Sequence, residues 1–170
     1  WAQVFKMPNL SIRFFNVYGP RSRTTGAYGA MFGVFLSQKI NNHPLTIVGN
    51  GNQTRDFIFI SDIIDGLIKA AKGKHKNKIY NLGSGKETSI KYIANLISKK
   101  QIYIPSRPGE PSRSKANIQK FKKDFNWEPK FTINEGVKIL LENIQLWKKA
   151  PLWTKKKIHI ATKDWFKYLK

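Results

Sequence analysis

Apolar residues fall into short runs bounded by turn residues in the first part of this chain, and at helical spacing in the last part. The run LSIRFF from Leu10 to Phe15 is apolar and short enough for a buried strand, and Asn16 to Pro20 closes it with turn chemistry. Residues 27–41 are apolar nearly all round, which predicts a buried helix ended by Asn41, Asn42, His43 and Pro44. Residues 45–48 and 55–60 then read as two short strands around a Gly/Asn turn. Ser61 or Asp62 is placed to cap the helix that follows, in which Ile64, Leu67, Ile68 and Ala71 recur at helical spacing.

The strand-to-helix order repeats in residues 79–82 and 88–99, and residues 102–104 add one more short strand. From Ser114 onward the pattern predicts helix. Thr132 and Glu135 have capping-box spacing, and Ile133, Val137, Leu140, Leu141, Ile144 and Trp147 form one apolar stripe. The tail from Trp153 to Lys170 is basic and amphipathic, and reads as a helix that docks through Trp165, Phe166 and Leu169. The alternation of strands and helices predicts an α/β architecture.

The formal charge of +21 changes this picture by suggesting nucleic acid or an anionic membrane as partner. The distribution of the charge argues against both. Lysines are spread along the whole chain, whereas a groove binder gathers Lys and Arg on one element beside stacking aromatics. The arginines behave differently: Arg13, Arg21, Arg23, Arg55, Arg107 and Arg113 all lie in or beside short motifs, and Arg is the residue that holds phosphate bidentately. No apolar run reaches eighteen residues, so no membrane span is expected, and with the lysines spread in this way neither nucleic acid nor a membrane is the expected partner. The absence of cysteine removes thiol chemistry and agrees with a reducing cytoplasm. His43, His75 and His159 are far apart with no carboxylate at ligand spacing, so no metal site is expected.

Several catalytic signatures fail on their letters. Gly83, Ser84, Gly85 and Lys86 resemble the end of a P-loop, but Glu87 stands where Ser or Thr must bind magnesium, and the segment reads as a turn. The sequence contains no G-x-S-x-G and no G-x-G-x-x-G. Asp62 and Asp65 at a helix start favour the helix dipole.

What remains is a series of motifs in a fixed order. RFFNVYGP at residues 13–20 resembles the R-Y-F-N-V-Y-G-P element of the extended short-chain dehydrogenase/reductase family, the nucleotide-sugar epimerases and dehydratases. GNG at residues 49–51, followed by TRDFI at 54–58, is similar to that family's G-D-G-x-x-x-R-D-F-V. YNLGSG at 80–85, RPGEP at 107–111 and FNWEP at 125–129 resemble its Y-N-x-G-S-G, R-P-G-E-P and L-G-W-x-P. Asn50 replaces the usual acidic residue of G-D-G and Asn117 the Asp that commonly follows R-P-G-E, both of which bear on substrate preference.

The resemblance implies the last strands of a Rossmann-like doubly wound sheet plus a smaller, mostly helical substrate-binding domain. Residues 1–24 would end the dinucleotide-binding domain and residues 25–170 form the substrate domain, with 55–100 a candidate contributor to the first sheet. It implies a nucleotide-sugar substrate, NAD as cofactor, a missing amino-terminal Rossmann half and a homodimer. By motif match, Asn16, Arg55, Arg107 and Glu110 would bind substrate, Glu110 by accepting from nucleoside hydroxyls, and Phe14 would bind the cofactor.

Each charge-assisted hydrogen bond contributes about 1.5–3 kcal/mol, so two guanidinium forks on one diphosphate would supply most of a micromolar affinity. The competing structural roles are an ion pair of Arg55 with Asp56 or Asp62, and of Arg107 with Glu110. The expected reaction of the parent is hydride abstraction from C4 of a UDP-hexose followed by its return to the other face, with dehydration or UDP-glucuronate decarboxylation as alternatives. A basic nucleic-acid-binding module is the alternative from another class. The family's Tyr-x-x-x-Lys pair and glycine-rich NAD turn are not in this sequence, so the chain alone contains no catalytic residue and is expected to be inactive.

Overall fold

The computed structural model describes residues 2–25, 31–75 and 78–169. Seven strands and seven α-helices are described: β1 Leu10–Phe14, β2 Asn16–Tyr18, β3 Leu45–Val48, β4 Thr54–Phe59, β5 Lys78–Leu82, β6 Glu87–Ser89 and β7 Gln101–Ile104, with α1 Ala2–Phe5, α2 Met31–Ile40, α3 Ile60–Lys72, α4 Ile90–Ile97, α5 Gln119–Phe125, α6 Ile133–Glu142 and α7 Lys155–Tyr168. β1 pairs with β5, β2 with β4, and β3 with β7, all parallel, while β6 joins β4 antiparallel. The chain is therefore α/β with mostly parallel pairing, as the alternation of patterns predicts.

β4 divides two cores because its side chains alternate between faces. On one face, Phe57 and Phe59 pack with Tyr18, Phe32, Phe35, Leu45, Ile47 and Trp147. On the other, Ile58 packs with Ile63, Tyr80, Leu82, Phe121, Phe125 and Trp127. Each large side chain buried in this way stabilises the fold by about 1.5–3 kcal/mol. Tyr18 fits only because α6 presents Gly136, where a Cβ would lie 2.0 Å from the Tyr18 hydroxyl. Burial raises the pKa of that hydroxyl, with the nearby Asp62 and Glu135 carboxylates adding to the shift.

The expected strands and helices form, with differences at their ends. Asn16, Val17 and Tyr18 were expected to close the first strand as a turn, but they pair with Phe57, Ile58 and Phe59 as β2, because the chain changes partner strand at Phe15. α2 begins at Met31, and the earlier part of the expected helix, residues 27–30, lies outside the described residues. α3 starts at Ile60 with Phe59 as a cap that makes no side-chain bond. Asp62 is instead drawn away, accepting from the backbone N–H of Lys130 (3.0 Å) and Phe131 (3.1 Å).

The predicted helix 88–99 is shortened at both ends. Glu87, Thr88 and Ser89 extend along β4, and Ser89 then caps α4 by accepting from Tyr92 N–H at 3.2 Å. Residues 114–118 are not helical, because Ser114 N–H donates to Thr54 C=O (3.2 Å) and Ala116 N–H to Asp56 Oδ2 (3.0 Å). The capping box at Thr132 and Glu135 forms, and Val137, Leu140 and Trp147 of the stripe are buried.

Candidate functional site

The site begins with the pleat of β4. Arg55 shares a face with Phe57 and enters a cavity of about 600 Å³ between the first core and the loop 105–113. Its guanidinium is fixed by two partners: Nη1 donates to Thr54 C=O (2.8 Å) and Nη2 to Glu110 Oε1 (3.0 Å). Thr54 N–H donates to Ser112 C=O (2.9 Å), and with the Ser114 bond this stitches the loop carrying Arg107 and Glu110 against β4. Asn16, Arg55, Arg107 and Glu110 all line the cavity, together with Phe32, Phe35 and Phe57. An apolar wall facing two guanidinium groups suits a ligand with a flat ring at one end and anionic oxygens at the other.

Asp56, on the opposite face of β4, is fully buried. Its carboxylate accepts from Ser84 N–H (2.7 Å), Ser84 Oγ–H (2.8 Å), Gly85 N–H (2.9 Å) and Ala116 N–H (3.0 Å). The segment 83–86 is therefore a turn whose N–H groups at Ser84 and Gly85 are spent on a carboxylate of the fold. Asn16 joins the same strand, since its Nδ2 donates to Asp56 C=O at 3.1 Å.

Neither structural pairing considered for the arginines is seen among the described residues. Arg55 takes Glu110, and Asp56 and Asp62 serve backbone N–H groups instead. The guanidinium of Arg107 lies 5.7 Å from the ring centre of Trp165. Of the other motif arginines, Arg113 grips Glu87 bidentately (3.1 and 2.6 Å), and that contact, with the hydroxyl of Thr54, lowers the Glu87 carboxyl to about 2. Arg13, Arg21 and Arg23 are exposed. Phe14 is half exposed on β1 and is not among the cavity residues.

The pattern of the sequence missed the part that the tail plays in this cavity. α7 packs through Ile158 and Thr162, both buried, and Trp153, Ile158 and Trp165 line the cavity. The spacing of four and three residues between Ile158, Thr162 and Trp165 is visible in the sequence, but not the surface they meet. Leu169, expected to pack, is half exposed because it is the cap beyond the last helical residue.

The chain is similar to known proteins in sequence and in fold. A profile of the NAD dependent epimerase/dehydratase family matches residues 1–83. UDP-glucuronic acid decarboxylase 1 of Arabidopsis thaliana is 34% identical over 131 residues, covering 74% of this chain and 29% of that protein. The crystal structure of UDP-glucuronic acid 4-epimerase from Bacillus cereus, in complex with UDP-glucuronic acid and NAD, superposes with a TM-score of 0.76 at 31% identity, covering 85% of this chain and 47% of that one. That of UDP-N-acetylglucosamine 4-epimerase from Methanobrevibacter ruminantium, in complex with UDP-N-acetylmuramic acid, gives 0.74 at 26% identity, covering 84% and 49%. The chain belongs to the NAD-dependent epimerase/dehydratase family, whose members similar to it are UDP-sugar epimerases and decarboxylases. It spans less than half the length of these relatives.

Proposed function

We propose that this chain is the carboxyl-terminal, substrate-binding part of an NAD-dependent UDP-hexose 4-epimerase. The observation that carries the reading is convergence: Asn16, Arg55, Arg107 and Glu110 come from separate motifs and line one cavity with an aromatic wall. Arg55 and Arg107 supply fork donors to the diphosphate, and Glu110, already fixed by Arg55, accepts from ribose hydroxyls. With its Nδ2 committed to Asp56, Asn16 meets a sugar hydroxyl through Oδ1. Holding the diphosphate leaves the hexose able to turn between the two hydride transfers.

NAD supplies the hydride acceptor when it is bound. The glycine turn at 83–85 is not a cradle for its pyrophosphate, because the N–H groups of Ser84 and Gly85 go to the Asp56 carboxylate. We therefore assign the main NAD site and the proton-transfer pair to an amino-terminal Rossmann half, with Phe14 on the side toward it. β1 and β5 are then the last strands of that half's sheet, which supports counting residues 1–24 and part of 55–100 with the first domain and the rest of 25–170 with the second. The half-exposed Phe14 and Ile79 on this pair are apolar surface that such a half would cover. A cytoplasmic homodimer of the complete protein belongs to the same reading; no helix among the described residues is long and apolar enough to cross a membrane.

A second reading, UDP-glucuronate decarboxylase, is favoured by the 34% identity to the plant decarboxylase. Product analysis separates the two. The complete protein, given NAD and UDP-glucose, UDP-galactose or UDP-glucuronate in turn, is expected to invert C4 without loss of mass, while the isolated chain turns over none of them. Release of carbon dioxide from UDP-glucuronate establishes the decarboxylase, loss of water a dehydratase, and inertness toward every UDP-sugar overturns the assignment.

A further inference from the structure

α7 is tied to both walls of the cavity. At its start, Gln38 of α2 donates through Nε2 to Trp153 C=O (2.8 Å) and to Thr46 Oγ1 of β3 (2.8 Å), and Gln38 is itself buried. Toward its end, the indole N–H of Trp165 donates to Pro108 C=O at 2.9 Å. The same indole ring carries the Arg107 guanidinium over it at 5.7 Å, within the range of a cation–π contact. One side chain therefore holds the Arg107–Pro108 segment twice, by the cation of one residue and the carbonyl of the next.

We infer that α7 is a wall of the binding site and that Trp165 is a positioning residue, which aims the Arg107 guanidinium at the anionic group of the ligand. This rests on the reading of the cavity as a nucleoside diphosphate site and adds a specificity element to it. A long guanidinium side chain loses rotamer freedom when it binds, and a ring that holds it in place beforehand removes part of that cost. Lysine at 107 would serve less well, because an ammonium held by the same ring cannot present the guanidinium's fork to phosphate. The effect should fall on ligands that carry phosphate.

The test uses the complete protein and two probes, UDP and uridine, titrated into wild type, Trp165→Leu, Trp165→Phe, Arg107→Ala and the double variant Trp165→Leu/Arg107→Ala. Ile160→Ala, on the exposed face of α7, is the control for the helix as such. Trp165→Leu is expected to weaken UDP about tenfold and uridine by less than about threefold, because it acts through the residue that meets phosphate. Trp165→Phe keeps a ring and should retain most of the affinity. In the Arg107→Ala background the Leu substitution should have almost no further effect on UDP.

Equal weakening of UDP and uridine, or the full tenfold loss in the Arg107→Ala background, would show that Trp165 only packs and would overturn the inference. If Trp165→Leu fails to fold, Trp165→Phe decides: retained UDP affinity that disappears with Arg107 supports the role, and a loss shared by uridine overturns it. Arg107→Ala without any effect on UDP would sink the underlying diphosphate assignment, a failure distinct from that of Trp165.

Discussion

Arg55 and Asp56 are neighbours on β4 and point to opposite faces of it, with opposite consequences for their charges. Asp56 is fully buried, and four hydrogen bonds from two distant segments end on its carboxylate. Arg55 keeps 12% of its side chain exposed, lines a cavity and has one carboxylate partner, Glu110, which lines the same cavity. The first charge organises the fold by collecting N–H groups that water cannot reach. The second is held in place yet stays within reach of a ligand. A buried charge with every partner inside the protein reads as architecture, and a fixed charge at a cavity wall reads as recognition.

Removing Asp56 should give the largest effect. Asp56→Ala leaves the N–H groups of Ser84, Gly85 and Ala116 without their acceptor, and we expect a loss of about 3–5 kcal/mol in urea unfolding of the complete protein. Loss of less than about 1 kcal/mol would remove the distinction between the two faces. Arg55→Lys tests the other face. It should weaken UDP-sugar binding about tenfold while unfolding stability changes by less than about 1 kcal/mol, since its ion pair is partly exposed. A stability loss without an affinity loss would make Arg55 structural as well.

The smallest expected effect sharpens the comparison with a third charge on the same sheet. Glu87, on β6, is lowered from 4.5 to about 2 by Arg113 and Thr54. A carboxyl lowered in the folded state contributes stability above its unfolded value, so its contribution is whole above 4.5 and is lost as pH falls toward about 2. Wild type should therefore lose thermal stability relative to Glu87→Gln between about pH 5 and about pH 3. Parallel curves for the two proteins would assign the pairing no energetic role.

Much of the fold was legible because its strands are short apolar runs and its later helices have clean apolar stripes. The errors share a physical cause. Asp62 looked like a helix cap from its position, but two N–H groups 68 and 69 residues away hold it instead. Residues 114–118 read as the start of the helical part, but bonds to Thr54 and Asp56, some 60 residues away, hold them out of a helix. In the site, motif resemblance singled out Arg55 and Glu110, yet their mutual pairing across 55 residues depends on the stitching of Thr54 to Ser112, which no local period encodes. Trp165 reads from its spacing as a packing residue. Its position beside Arg107 follows from where α7 docks, and the periodicity of a helix says which face is buried but not against what.

The central claim is that this cavity binds a nucleoside diphosphate through its arginine forks, and that the charge of +21 is not itself the recognition signal. The most direct measurement is a paired titration of UDP-sugar and duplex DNA into the complete protein, at low and high salt, comparing wild type with Arg107→Lys and with neutralised Lys155 and Lys156. Arg107→Lys is expected to weaken UDP-sugar binding by about tenfold or more, because an ammonium cannot reproduce the fork, while the two exposed lysines on α7 leave it unchanged. Unchanged UDP-sugar affinity in Arg107→Lys, together with tight, salt-sensitive DNA binding that is lost with the two lysines, would contradict the account.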